Sequence, residues 1–118
     1  MPIAPMDFLI AARDLHLIGS EVSHRNAASR AYYAAYHEAS IKAEHSIMIP
    51  GDAASHAAII GAYEGHRDPK YKAVGYMLRQ ARAKRRIADY SINDEFSAND
   101  ALESINLSER IIGKIDLF

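Results

Sequence analysis

The 118-residue chain has no cysteine and no tryptophan, and only six glycines and four prolines. Zero cysteines exclude a disulfide framework and a thiolate metal site. So few glycines and prolines exclude collagen-like and low-complexity readings. No run approaches the ~18 consecutive apolar residues of a membrane span. The first ten residues lack a basic flank and carry Asp7 inside their apolar stretch. No secretory leader is therefore expected, and a cytoplasmic address is the default. Both phosphate-cradling loops are missing, since there is no G-x-x-x-x-G-K and no G-x-G-x-x-G. The six histidines, at 16, 24, 37, 45, 56 and 66, include no pair three or four residues apart. A helical zinc-binding pair is thus absent, although ligands gathered from several helices stay compatible with the sequence. Ser29 and His37 lie two turns apart, too far for a nucleophile and its base. No metal and no cofactor is expected.

What is present is the ordinary balance of a globular domain, 49% apolar and 25% charged residues. A chain of this length buries roughly 65% of its unfolded surface, enough for one core. Residues 1–118 are read as a single domain without internal repeats. The net charge of −1 conceals an asymmetry. Residues 1–88 hold 12 Lys/Arg against 8 Asp/Glu, whereas residues 89–118 hold 2 against 7. Arg79, Arg82, Lys84, Arg85 and Arg86 place five cations in eight residues. Such a run is either a solvated helix face turned to the acidic C-terminal segment or a contact for a polyanion.

The apolar spacing is helical throughout. Phe8, Ala11, Ala12, Leu15 and Ile18 repeat at three to four residues behind Pro5 and Asp7, and Gly19 closes that stretch. Ser20 is placed as the N-cap of a second helix, from about Val22 to His45. Its inner stripe is Ala28, Tyr32, Ala35, Tyr36, Ala39 and Ala43. After the Pro50-Gly51 break, Asp52 is expected to cap a short helix through Ala57, Ile60 and Tyr63 to Gly65. Asp68-Pro69 starts a fourth helix with an apolar face of Tyr71, Val74, Met77, Leu78, Ala81 and Ala88. Ser97-x-x-Asp100 is a capping box opening a fifth, with Leu102, Ile105, Ile112 and Ile115 turned inward. Nothing alternates with the period of a strand. The expectation is an all-α, up-and-down bundle of about five helices.

One segment concentrates reactive side chains: Ser29-Arg30-Ala31-Tyr32-Tyr33-Ala34-Ala35-Tyr36-His37. On a helix Arg30 and His37 share a meridian within ~20° and stand about 10.5 Å apart along the axis. Tyr33 lies between them, one turn from each. Arginine is rarely buried unpaired. Either a carboxylate of a neighbouring helix pairs with Arg30 while His37 packs on Tyr33, or the two side chains serve chemistry.

The segment resembles the signature helix of the HEPN superfamily, small α-helical proteins of bacterial toxin–antitoxin and defence systems. The signature there is an Arg, four to six residues, then a His, and Arg30-x6-His37 fits the long end of that window. Phe8-Leu9-x-x-Ala12-x-x-Leu15 is similar to the family's first helix. Arg85-Arg86-Ile87-Ala88-Asp89-Tyr90 is similar to the Arg-x-x-Ala-Asp-Tyr ending of its fourth, and Asp100-Ala101 with the spaced apolar residues after it to its last. The resemblance spans nearly the whole chain. It implies a HEPN-like fold and, as in the family's catalytic members, a metal-independent endoribonuclease of the toxin or defence type. Arg30 and His37 would be its catalytic pair and Tyr33 a supporting residue. Arg79, Arg82, Lys84 and Arg86 would bind substrate, with Arg85 a candidate for bonding within the fold.

The chemistry suits those residue types. RNA carries its own nucleophile, the 2′-OH, so cleavage requires proton transfer and charge stabilisation. A histidine moves protons near neutrality, and a guanidinium holds a phosphate bidentately. The resemblance further implies a homodimer that crosses two copies of the second helix, bringing both Arg–His pairs into one cleft. It also implies a cognate antitoxin or nucleotidyltransferase partner, and no membrane. The alternative is a non-catalytic HEPN domain that binds a nucleotide or a partner protein, as an accessory or antitoxin subunit. Two positions depart from the pattern. Ala31 replaces the polar residue that usually follows the Arg in RNA-cleaving members, and Ala39 stands where some toxins carry a Tyr that the partner modifies. Tyr32, Tyr33 and Tyr36 are either core packing or alternative targets of that modification. A dimer face is expected on the Tyr32/Tyr36 or Tyr33/His37 side, because these rings should otherwise leave aromatic surface exposed.

Overall fold

The computed structural model describes residues 2–46 and 55–118. Among the described residues there are five helices and no strand: α1 (Pro5–Ile18), α2 (Glu21–Ser46), α3 (His56–Glu64), α4 (Pro69–Tyr90) and α5 (Ala98–Ile115). The fold is the all-α bundle that the spacing predicts. None of these helices is long and apolar enough to cross a membrane.

Local chemistry sets most boundaries. The Ala4 N–H donates to the Asp7 carboxylate at 2.7 Å, Pro5 opens α1, and Gly19 ends it at φ 90°, where a side chain would be strained. The Ser20 hydroxyl accepts from the Ser23 N–H at 3.2 Å and so caps α2. Asp68 accepts from the Lys70 N–H at 2.9 Å ahead of Pro69. Ser97 and Asp100 satisfy each other's N–H groups at 3.1 and 2.8 Å. For α3 the cap is Ser55, which accepts from the Ala58 N–H at 3.1 Å. The expected Pro50-Gly51 break and the Asp52 cap lie outside the described residues.

Helix α2 is the central element, buried along two faces at once. One face carries Tyr32, Ala35, Tyr36, Ala39 and Ala43, as expected, and packs on α3, α4 and α5 through Ile59, Tyr63, Val74, Leu78 and Ile111. The other carries Ala27, Ala28, Ala31 and Ala34 and packs on Leu9 and Ala12 of α1 and on Phe96, Ile105 and Ile112. Alanine makes this possible, because short side chains let neighbouring helices approach closely while helix propensity stays high. A single stripe understated α2, since a helix sandwiched between two layers keeps only a narrow open side, that of Asn26, Arg30, Tyr33 and His37.

Three expected core positions are corrected. Ile18 is 67% exposed, because the chain leaves the bundle at the Gly19 turn. Leu102 is 41% exposed, since the buried register of α5 runs through Ala101, Ser104, Ile105, Leu107 and Ser108 and passes it by. In α3 the inward positions are Ile59, Ile60 and Tyr63, and Ala57 faces out.

Two contacts fix the outer helices. A Cβ on Gly75 of α4 would stand 2.6 Å from the Glu64 backbone nitrogen, so only glycine lets the end of α3 seat there. At the opposite end, the buried Arg25 of α2 gathers the chain where α4 ends. Its guanidinium donates to the carbonyls of Ala88 at 2.9 Å, Ser91 at 3.2 Å and Asp94, pairs with Glu21 at 3.6 Å and covers the Phe96 ring. These acceptors include orphan carbonyls of the last turn of α4.

Candidate functional site

The α2 register brings Arg30, Tyr33 and His37 onto one face, and α1 places Phe8 against it. The Arg30 Cζ lies 5.5 Å from the centroid of Tyr33 and 5.8 Å from that of Phe8. His37 stacks on the same Phe8 ring at 5.2 Å and lies 6.1 Å from Tyr33. One phenyl ring thus supports both members of the pair. No carboxylate lies within ion-pair distance of Arg30 among the described residues. The pairing with a neighbouring helix that an ordinary packed arginine would show is therefore missing, while His37 does pack beside Tyr33. Burial holds the His37 imidazole below its ordinary pKa, so it is neutral around pH 7. Beside it opens a cavity of about 300 Å³ lined by Phe8, His37, Ser40 and Ile41 with Ile3 to Pro5.

Helix α3 contributes a second imidazole that no spacing in the sequence announces. His56 stacks on Tyr36 with centroids 4.0 Å apart and planes 13° from parallel, and its Nδ1 lies 2.5 Å from the Tyr32 hydroxyl. Tyr33 meets it edge-on at 5.8 Å. Tyr32 and Tyr36 are 1% and 8% exposed, covered by α3 and α4 of their own chain. Of the two sides expected for a dimer, the Tyr32/Tyr36 side is buried within the chain. Those two rings leave no aromatic surface for a second copy, whereas Tyr33 and His37 stay half-buried.

Helix α4 divides the basic run among different surroundings. Arg85 lies over Tyr32 and Tyr33 at 5.5 and 5.7 Å and pairs with Asp89 at 3.2 Å, and Asp89 also accepts from the Ser29 hydroxyl at 3.3 Å. It thus bonds within the fold and belongs to the cluster as well. Arg82 lies close enough for its charge to be felt at Tyr32, Tyr36 and His56. The buried Nε–H groups of Arg82 and Arg85 find no acceptor among the described residues. Arg79 is held elsewhere, in a two-bond pair with Glu64 at 2.6 and 2.7 Å. Lys84 turns to α5 and pairs with Glu103 at 3.2 Å. Arg86 is exposed. Of the four expected substrate cations, Arg82 is the one whose charge reaches Tyr32, Tyr36 and His56.

The candidate cluster brings Arg30, Tyr33 and His37 together with Phe8, Tyr32, Tyr36, His56, Arg82 and Arg85. Three guanidinium groups and two imidazoles surround a shelf of aromatic rings. That composition suits an anion carrying flat groups, with proton-transfer residues in place. Among the described residues no group of three His, Asp or Glu side chains is arranged to hold a metal ion. No protein-family model matches the chain, and no characterised protein or solved structure is significantly similar to it.

Proposed function

We propose that the protein is a HEPN-type endoribonuclease, a toxin or defence component, that cleaves RNA without a metal ion using Arg30 and His37. The observation that carries this reading is the state of Arg30: positioned on two aromatic rings, unpaired with any carboxylate among the described residues, and sharing Phe8 with His37. A guanidinium held in place by rings keeps its donor fork for a phosphate and stabilises the charge added in the transition state. A neutral His37 takes the proton of the 2′-OH. Two copies, crossed at the half-buried Tyr33/His37 side of α2, would form a shared cleft, and a cognate antitoxin or nucleotidyltransferase would act on the exposed parts of that face. The test is incubation of purified protein with RNA in EDTA. Cleavage that disappears in His37→Ala supports the reading, and cleavage that needs added magnesium or is unchanged in His37→Ala refutes it.

One observation favours the second reading, a non-catalytic HEPN domain that binds a nucleotide or partner protein. Ala31 is fully buried against the α1 layer, so the position after the Arg offers no polar group to orient Arg30. Inducible expression separates the two. Growth arrest by wild type and not by His37→Ala belongs to the nuclease; two harmless proteins belong to the binding module.

A further inference from the structure

His56 and His37 bracket one pair of tyrosines. His56 lies 4.0 Å from Tyr36 and 5.8 Å from Tyr33, and His37 lies 5.6 Å and 6.1 Å from the same rings. Two imidazoles flanking one pair of rings suit the two ends of a phosphodiester exchange, in which one oxygen loses a proton and another gains one. Three cations belong to the same cluster: Arg30 on the His37 side, Arg82 and Arg85 on the His56 side. Arg82 forms no ion pair among the described residues, and neither does His56.

The orientation of His56 follows from Tyr32. That phenol is 1% exposed, and burial pushes its pKa far above the ordinary value, so it keeps its proton. Its hydrogen bond among the described residues is to His56 Nδ1. Donation from the hydroxyl satisfies both atoms, which leaves the exchangeable hydrogen of neutral His56 on Nε2. When the ring takes a second proton, the hydroxyl turns and accepts from Nδ1–H. Tyr32 thus fixes the ring plane in both charge states and leaves Nε2 as the working atom.

We propose that His56 is a second catalytic residue, delivering a proton to the departing 5′-oxygen while His37 removes the proton of the 2′-OH. The inference rests on the ribonuclease reading above. In the step, the 2′-OH proton passes to His37 as the 2′-oxygen bonds to phosphorus. The bond from phosphorus to the 5′-oxygen breaks, and that oxygen takes its proton from the His56 imidazolium. A 2′,3′-cyclic phosphate and a 5′-OH leave, and the two imidazoles have exchanged charge states, which solvent resets. Acid and base then belong to one chain, whatever a second copy adds.

The groups facing His56 are Tyr32, Tyr33, Tyr36 and His37 from α2, and Arg82 and Arg85 from α4. Burial, then Arg82, Arg85 and His37, hold it below the ordinary imidazole pKa in the protein alone. A phosphodiester placed against Arg82 and Arg85 brings one negative charge that opposes their effect on the ring. Binding and proton uptake at His56 are thereby linked, each favouring the other. Bound substrate shifts His56 toward the charged acid.

The experiment compares ordinary RNA with RNA carrying a bridging 5′-sulfur at the cleaved linkage, whose leaving thiolate needs no proton. Wild type, His37→Gln and His56→Gln are assayed in single turnovers, with circular dichroism confirming the fold. The inference expects His56→Gln to slow the ordinary linkage at least ~100-fold and to cleave the sulfur linkage within about threefold of wild type, whereas His37→Gln stays slow on both. Equal rates for His56→Gln and wild type on ordinary RNA overturn the role of His56 and leave the ribonuclease reading standing. So does His56→Gln remaining slow on the sulfur linkage. Wild type that cleaves neither RNA refutes the ribonuclease reading itself, and the proposal falls with it. A measurement on unaltered protein guards against a variant that fails to fold. The NMR titration of the His56 ring should move to higher pH when a 2′-O-methyl oligonucleotide binds, and an unmoved titration overturns the inference.

Discussion

Arg25 and Arg30 lie five residues apart on the same helix, in opposite surroundings. Arg25 is 8% exposed and its donors are taken by carbonyls of α4 and the following turn. Arg30 is half-buried, rests on the faces of Tyr33 and Phe8, and pairs with no carboxylate among the described residues. A buried guanidinium held by several backbone carbonyls is structural, because no ligand can compete for it without opening the fold. One positioned by rings keeps its hydrogens available. Charge and burial alone do not separate the two; the nature of the partners does.

The largest expected effect breaks or confirms that contrast directly. Arg25→Ala strands several buried carbonyls and should lower the unfolding free energy by ~3–5 kcal/mol, the scale for removing one partner of a buried charged network. Arg30→Ala loses two cation–ring contacts and should cost no more than about 1 kcal/mol. Urea melts of the two variants decide it, and equal losses would erase the distinction.

On RNA the order should reverse. Arg30→Ala and His37→Ala are each expected to reduce cleavage at least ~100-fold, with the double variant no worse, as for groups serving one transition state. Arg30→Lys should recover little, since an ammonium lacks the planar fork. Additive losses would mean that the two side chains act separately.

An intermediate effect tests the support beneath His56. Gly75→Ala drives a methyl against the Glu64 backbone, which has no rotamer with which to yield, and should destabilise by ~1–3 kcal/mol. Because α3 moves, a drop in cleavage should accompany the drop in melting temperature.

A smaller effect follows from pH. His37 and His56 both have pKa values lowered from 6.5 in the folded chain, so the unfolded chain binds their protons more readily. Their contribution to stability is complete above pH 6.5 and is lost as pH falls from there through the lowered values. Glu38 acts in the opposite sense, because burial and the neighbouring Asp116 raise its pKa and protonation then favours the folded state. Thermal melts of wild type and His56→Gln across this range should converge toward acid.

The smallest effect concerns the basic run. Arg82→Ala should reduce the salt slope of RNA binding by about one contact, ~0.7 in the logarithmic slope for single strands. Arg79→Ala should leave it unchanged, since Glu64 already neutralises that side chain. Equal slopes for both would return the run to a common solvated face.

How far the sequence carried these conclusions depends on the range of the interaction. Helix ends were legible because their signals are local: Gly19, Ser20, Asp68-Pro69 and Ser97-x-x-Asp100 act on the next one to three residues. The Arg30–Tyr33–His37 face was legible because helical spacing alone creates it. His56 and Arg25 were not. His56 reaches the cluster through the packing of α3 on α4, and Arg25 differs from Arg30 through carbonyls more than sixty residues away. The basic run misled in part for the same reason. Glu64 and Glu103 claim Arg79 and Lys84 from other helices, and nothing in the run itself marks which cations they take.

The ring contacts also make the molecule its own optical probe. With no tryptophan in the chain, near-ultraviolet absorption and emission come mainly from its seven tyrosines. Tyr32 contacts both Tyr33 and Tyr36, and all three meet His56, while Tyr63 and Tyr71 stack apart from them beside His66. The phenol of Tyr32 hands its hydrogen bond to an imidazole, an arrangement that quenches emission according to the charge of the ring. Any molecule that settles among these side chains therefore alters a spectroscopic band that the rest of the bundle contributes to only in part. Tyr76→Phe, which replaces an exposed phenol with a weakly absorbing phenyl ring, would sharpen that band further and let occupancy be followed without a label.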